Sequence, residues 1–136
     1  MIRVESLHAR FGRFRLQDIS LNVEAGSSLV VLGPSGAGKT MLLETMLGLR
    51  RMDRGRVLID GRDVSDWSPE RRDVSYLPQD VALFPHLSVR DNILFGAKVR
   101  RLGYDGKTEL RRLAELLDIG DLLDRRDVRS LSGGEG

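Results

Sequence analysis

The chain has 136 residues, 40% of them apolar and 31% charged, an ordinary globular mixture with room for about one domain. Its 22 basic and 20 acidic side chains leave a net charge of +2, too little to announce a nucleic-acid partner. Without cysteine there can be no disulfide, zinc cluster or thiol nucleophile, and no apolar run reaches the ~18 residues that a membrane-spanning helix needs. The start, Met1-Ile-Arg-Val-Glu5, is no signal peptide, so any membrane connection is expected to be peripheral. Arginines come in pairs at 50–51, 71–72, 100–101, 111–112 and 125–126, most with acids nearby, and these read as solvated surface.

In chain order, short β-type runs are expected at Ile2 to Leu7, Ile19 to Val23 and Ser28 to Leu32. The last is a continuous apolar run between Gly26 and Gly33, the pattern of a strand buried on both faces of a sheet. Leu42, Leu43, Met46 and Leu47 then mark one face of a helix that Gly48 can close. Arg56 to Asp60 alternates between Gly55 and Gly61 and predicts a short strand. Ser68-Pro69-Glu70 predicts one helical turn, with proline at its first position. A further strand is expected at Val74 to Leu77, ended by Pro78. Beyond it Ser88 and Asp91 have the spacing of a capping box for a helix reaching about Phe95. Leu110, Leu113, Ala114 and Leu117 mark an amphipathic helix over about 107–119. The chain thus divides into a β-rich part to about residue 80 and a helical part over about 81–130.

The segment Gly33-Pro34-Ser35-Gly36-Ala37-Gly38-Lys39-Thr40 fits G-x-x-x-x-G-K-[ST] at every fixed position. A polyphosphate wrapped by backbone N–H groups requires that side chains be absent where the chain approaches it, which accounts for Gly36 and Gly38. The helix that follows offers free amides and the positive end of its dipole. Lys39 is expected to reach the β- and γ-phosphates of a nucleotide and Thr40 to place its hydroxyl on Mg²⁺.

A second motif, Leu131-Ser132-Gly133-Gly134-Glu135, has capping-box spacing from Ser132 to Glu135, and a bare helix start again suits phosphate. Taken alone it reads equally as a flexible turn. Together, a phosphate loop and Leu-Ser-Gly-Gly about ninety residues later resemble the nucleotide-binding subunit of ABC transporters, whose signature is LSGGQ, with Glu135 here in place of the glutamine. The resemblance covers essentially the whole chain. It implies an α/β fold with a P-loop NTPase (RecA-like) core and a helical subdomain at 81–130, with the signature at 131–136. By the same resemblance Gln79 is the glutamine that contacts Mg²⁺ and the attacking water, so Lys39 and Gln79 carry the catalytic roles. Phe11 matches the aromatic that stacks on adenine, with Phe14 as the alternative. The family assembles head to tail, so Ser132, Gly133 and Gly134, with Glu135 beside them, would meet the ATP held by the opposite subunit.

The region between Gln79 and Leu131 lacks the long coiled coils of DNA-repair relatives. Its Val81-to-Ile93 stretch resembles the part of importer ATPases that receives the permease. Phe84, Pro85 and Leu87 would supply the apolar contact and Arg90 its polar edge, although Phe84 and Leu87 read equally as core. Pro69-to-Val74 and Ala82-to-Leu87 look like the importer group serving oxyanions, sugars, polyamines and iron, with a lean toward an oxyanion such as molybdate. The implied partners are membrane permease subunits at the cytoplasmic face of the membrane, a second ATP-binding subunit and, indirectly, a solute-binding protein, with no nucleic acid. Two alternatives carry less support: a soluble ABC-type ATPase acting in translation or repair, and a P-loop kinase or GTPase, for which the guanine-reading motif is lacking.

In the family the signature leads into a strand ending in Asp, a catalytic Glu and later a His, none of which lies within residues 1–136. The C-terminal half of the sheet is therefore expected to be missing. The consequence expected of the chain alone is exposed apolar strands, poor solubility and no ATP turnover.

Overall fold

The computed structural model describes residues 1–79, 83–99 and 106–131. They form β1 (Ile2–Phe11), β2 (Phe14–Val23), α1 (Lys39–Met46), β3 (Arg54–Ile59), β4 (Arg62–Asp63), α2 (Val89–Val99) and α3 (Gly106–Leu117). Single 3₁₀ turns stand at Pro69–Arg71, Gly120–Leu122 and Val128–Ser130. The chain divides into two compact units, Met1–Leu77 and Pro78–Gly136.

The first unit is an antiparallel sheet of order β2-β1-β3-β4, with α1 contributing to its core. The two hairpins have different turn chemistry. Gly12, at φ 61°, begins the two-residue link between Phe11 and Phe14. Asp60 and Gly61, both at positive φ, form the two-residue link from β3 to β4 that such a tight turn demands. β1 buries Val4, Leu7 and Ala9, so its inward face skips a residue between 4 and 7. The register shifts there, Ser6 takes φ 44°, and its N–H is satisfied by Ser20 Oγ at 2.9 Å, as expected of a β-bulge. Opposite the bulge, Gly55 has φ 110°, and a Cβ on it would stand 2.6 Å from the Ser6 carbonyl oxygen. Val57, Leu16, Val64 and Leu42 complete the buried layer.

β1 and β2 run further than the apolar patterning indicates, because polar side chains such as Arg10, Arg15 and Gln17 alternate with the inward residues there. The runs Ser28 to Leu32 and Val74 to Leu77 depart from expectation in the other direction. Neither is a strand, and Val30, Leu32 and Leu77 are 74%, 87% and 94% exposed. A strand exists only through its ladder, and among the described residues nothing pairs with either run.

In the second unit Val89, Leu110, Ala114, Leu123 and Val128 form the core, with Leu131 packed against it. The N-terminal amides of α2 are well provided for. Val89 N donates to the Arg125 carbonyl at 3.1 Å, Arg90 N to that of Leu123 at 3.0 Å, and Asp91 N to Ser88 Oγ at 3.1 Å. Ser88 is thus a true N-cap, with the Asp91 carboxylate accepting from its hydroxyl at 2.8 Å, and α2 continues past Phe95 to Val99. On α3, Leu110 and Ala114 face the core while Leu116 and Leu117 are exposed.

Two stability predictions follow from these contacts. Gly55→Ala destabilises the sheet by about 3 kcal/mol in chemical denaturation, combining left-handed strain with a backbone clash. Ser88→Ala costs about 1 kcal/mol at neutral pH. The Asp91 carboxyl is held below its ordinary value by the Lys98 hydrogen bond and then by Ser88. Its stabilising effect is therefore present above the ordinary carboxylate range and fades as pH falls through the lowered value, which acid titration of wild type and variant will show.

Candidate functional site

The phosphate loop is built by local geometry. Gly36 and Gly38 sit at φ 82° and 89°, and Ala37 N closes a turn onto the Pro34 carbonyl at 3.2 Å. Lys39 is the first residue of α1, and its Nζ reaches back over the loop to donate to the carbonyls of Gly33 and Pro34, both at 2.9 Å. No side chain caps α1 at Gly38, so the first-turn amides that a helix cannot satisfy internally remain available. Pro34, Ser35, Gly36, Ala37 and Thr40 are exposed. A lysine over a glycine-rich turn at a bare helix start suits a polyphosphate.

The aromatic pair divides its roles. Phe11 and Phe14 are cross-strand neighbours at the β1–β2 turn. Phe14 lies against the phosphate loop: a Cβ on Gly38 would be 2.2 Å from its Cζ. Gly38 is therefore required twice, for its positive φ and for the ring beside it. Phe11 instead carries the Arg50 guanidinium 5.4 Å from its ring centroid, and Arg50 is paired with Glu44 of α1. The spacing of the glycines alone gives no sign of the Phe14 contact.

Other candidates fall in the second unit. Gln79 is exposed near its start, and Ser132, Gly133, Gly134 and Glu135 lie outside the described residues. The Phe84-to-Leu87 loop is held by one side chain that the sequence did not single out. The Asn92 amide accepts from Phe84 N at 2.8 Å and donates to the carbonyls of Phe84, Leu87 and Ser88 at 3.1, 3.3 and 3.0 Å. The Phe84 ring rests on Phe95 with centroids 4.3 Å apart and remains 38% exposed, so it is both a packing residue and a surface. Arg90 pairs with Asp124 at 2.8 Å, and the His86 ring meets the edge of Phe84 at 6.0 Å. Among the described residues no cluster of carboxylates and imidazoles could hold a metal by itself.

A cavity of about 620 Å³ opens beside the C-terminal end of α1, lined by Thr45, Gly48, Arg54, Trp67 and Arg72 among others. No residue of 33–40 lines it. The reading of Arg71 and Arg72 as a solvated pair is corrected here. Arg71 is exposed over the Trp67 ring at 5.2 Å, whereas Arg72 is only 5% exposed and donates to three carbonyls.

The sequence profile of the family described as ABC transporter matches residues 16–136. The chain belongs to the ABC transporter family. It is 46% identical over 136 residues to the molybdate/tungstate import ATP-binding protein WtpC of Pyrococcus abyssi, covering 99% of this chain and 39% of that protein. It is 42% identical over 139 residues to the sulfate/thiosulfate import ATP-binding protein CysA of Mesorhizobium japonicum, covering 98% and 40%. The sn-glycerol-3-phosphate import ATP-binding protein UgpC of Bordetella pertussis is 40% identical over 121 residues, covering 88% and 33%. The chain therefore spans well under half the length of these relatives. In fold it is similar to an ATP-binding cassette solved as a dimer in a post-hydrolysis state with ADP and Pi, with TM-score 0.83 at 19% identity, covering 99% of this chain and 65% of that one. Family and fold thus agree with the α/β P-loop architecture expected of the two motifs.

The Phe14–Gly38 contact predicts that Gly38→Ala weakens nucleotide affinity and that Phe14→Ala in the same chain restores part of it. A double-mutant cycle on affinity that is strictly additive would contradict this.

Proposed function

We propose that this chain carries the nucleotide site of an ABC import ATPase and binds MgATP at Gly33–Thr40. The observation that supports it most is the Lys39 side chain folded over a glycine turn at the uncapped start of α1. The backbone N–H groups of the loop and of the first turn hold the β- and γ-phosphates, Lys39 neutralises them, and Phe11 stacks on adenine while Phe14 supports Gly38. The Thr40 hydroxyl and the Gln79 amide are the groups suited to Mg²⁺. When bound, the ion offsets the negative charge that builds on the phosphate oxygens. Lys39 and Gln79 are the residues of this chain with catalytic roles. Gln79 orients the attacking water, and Ser132, Gly133, Gly134 and Glu135 meet the nucleotide of the facing subunit.

In the whole protein, two such subunits close head to tail on ATP and couple its hydrolysis to import through membrane permease subunits at the cytoplasmic face. The Phe84-to-Leu87 loop is the docking surface for the permease, and a solute-binding protein acts on the outer side. The cargo is an inorganic oxyanion of the molybdate class, a reading favoured by the names of the relatives at 46% and 42% identity. The residues at 1–80, 81–130 and 131–136 serve as core, helical subdomain and signature.

Lys39→Ala in the full-length protein is expected to abolish MgATP binding, measured by calorimetry, with an unchanged circular dichroism spectrum. Retained affinity would overturn the assignment. ATP without hydrolysis is expected to drive the full-length subunit to a dimer in light scattering, and a persistent monomer would contradict head-to-tail closure.

A further inference from the structure

The C-terminal end of α1 is anchored by a residue outside both the phosphate loop and the 131–135 motif. A helix leaves its last four carbonyls without internal partners. In α1 the local chain supplies three sets of donors. Leu47 N bonds the Leu43 carbonyl at 2.9 Å, Leu49 N the Glu44 carbonyl at 2.9 Å, and Gly48 N the Thr45 carbonyl at 3.0 Å. Gly48, at φ 79°, makes this double closure possible. The Met46 carbonyl takes its donor from far along the chain, Arg72 Nη1 at 2.7 Å.

The same guanidinium binds two further carbonyls. Nη2 donates to Ser65 at 2.9 Å and Nε to Trp67 at 3.0 Å. Ser65 in turn accepts from Val57 N through its hydroxyl at 3.0 Å, which carries the connection into β3. An unbroken chain of hydrogen bonds therefore runs from the sheet through Ser65 and Arg72 to Met46, and α1 carries it to Lys39. Burial pushes the Arg72 guanidinium below its ordinary value and the Asp66 charge partly offsets this, while the three carbonyls and the negative end of the helix dipole hold the cation directly. The space is tight: a Cβ on Gly48 would stand 2.6 Å from Arg72 Nε.

We propose that Arg72 is a positioning residue of the nucleotide site, fixing one end of α1 so that Lys39 and the first-turn amides at the other end stand where phosphate needs them. The proposal rests on the reading of Gly33–Thr40 as that site. The eight residues of α1 span only ~12 Å, so a tilt at Met46 is felt at Lys39 with little loss. Lysine is a poor substitute, because one ammonium does not reproduce a planar fork reaching three separated carbonyls.

The test is MgATP affinity of the full-length protein for wild type, Arg72→Ala, Arg72→Lys, Gly48→Ala, Arg71→Ala and Lys39→Ala, each with its melting temperature. Arg72→Ala and Gly48→Ala are expected to weaken affinity about tenfold, Arg72→Lys less, and Arg71→Ala not at all. Methylguanidinium at low concentration is expected to restore part of the affinity of Arg72→Ala and none of that of Lys39→Ala. Wild-type affinity in folded Arg72→Ala, with only a lowered melting temperature, would make Arg72 purely structural and overturn the proposal. If Arg72→Ala does not fold, wild-type affinity in Arg72→Lys and Gly48→Ala would overturn it equally. Wild-type affinity in Lys39→Ala would remove the site reading itself, an outcome distinguishable from failure of the Arg72 proposal alone.

Discussion

Helix α1 has to be held firmly while its first turn is left free. Every stabilising side chain that could cap that turn would occupy the amides that a phosphate needs, and Gly38 supplies none. The helix is therefore secured from elsewhere. Its flank buries Leu42 and Thr45, its far end closes on Gly48 and Arg72, and Phe14 meets its start at Gly38. Most isolated helices of this length are unstable in water, so these tertiary contacts decide whether the phosphate site exists at all.

The antiparallel sheet is the platform for this arrangement, and its irregularities serve it. The bulge at Ser6 lets β1 keep Val4, Leu7 and Ala9 on one face despite their uneven spacing, and Gly55 makes room for it from the neighbouring strand. The tip of the β1–β2 hairpin then brings Phe14 onto the loop. In the second unit one amide, Asn92, fixes the backbone of the Phe84-to-Leu87 loop through three hydrogen bonds and binds the Ser88 carbonyl with a fourth, while leaving the Phe84 ring partly exposed.

How much of this the sequence discloses depends on how local the cause is. The positive-φ glycines of the 33–40 turn were readable, because each answers a demand of the backbone within eight positions, whereas the Phe14 ring against Gly38 was not. The Ser88 cap of α2 was readable for the same reason. Arg72 was misread as surface because its burial depends on carbonyls at 46, 65 and 67, which only the fold brings together. The apolar run Ser28 to Leu32 carried a strong strand signal and yet stands exposed, since patterning reports what a segment would bury and not whether its neighbours are present. The reach of β1 and β2 into arginine-rich sequence was hidden by side chains that face outward.

The proposed nucleotide site rests on one physical premise, that the uncapped start of α1 receives the phosphates of MgATP. Hydrogen–deuterium exchange of the full-length protein with and without MgATP, resolved to individual amides, tests it most directly. The account predicts strong slowing at residues 36–41, with little change at the already bonded amides of Leu47 to Leu49. Slowing spread evenly over the protein, or absent from 36–41 while ATP is bound, would contradict it.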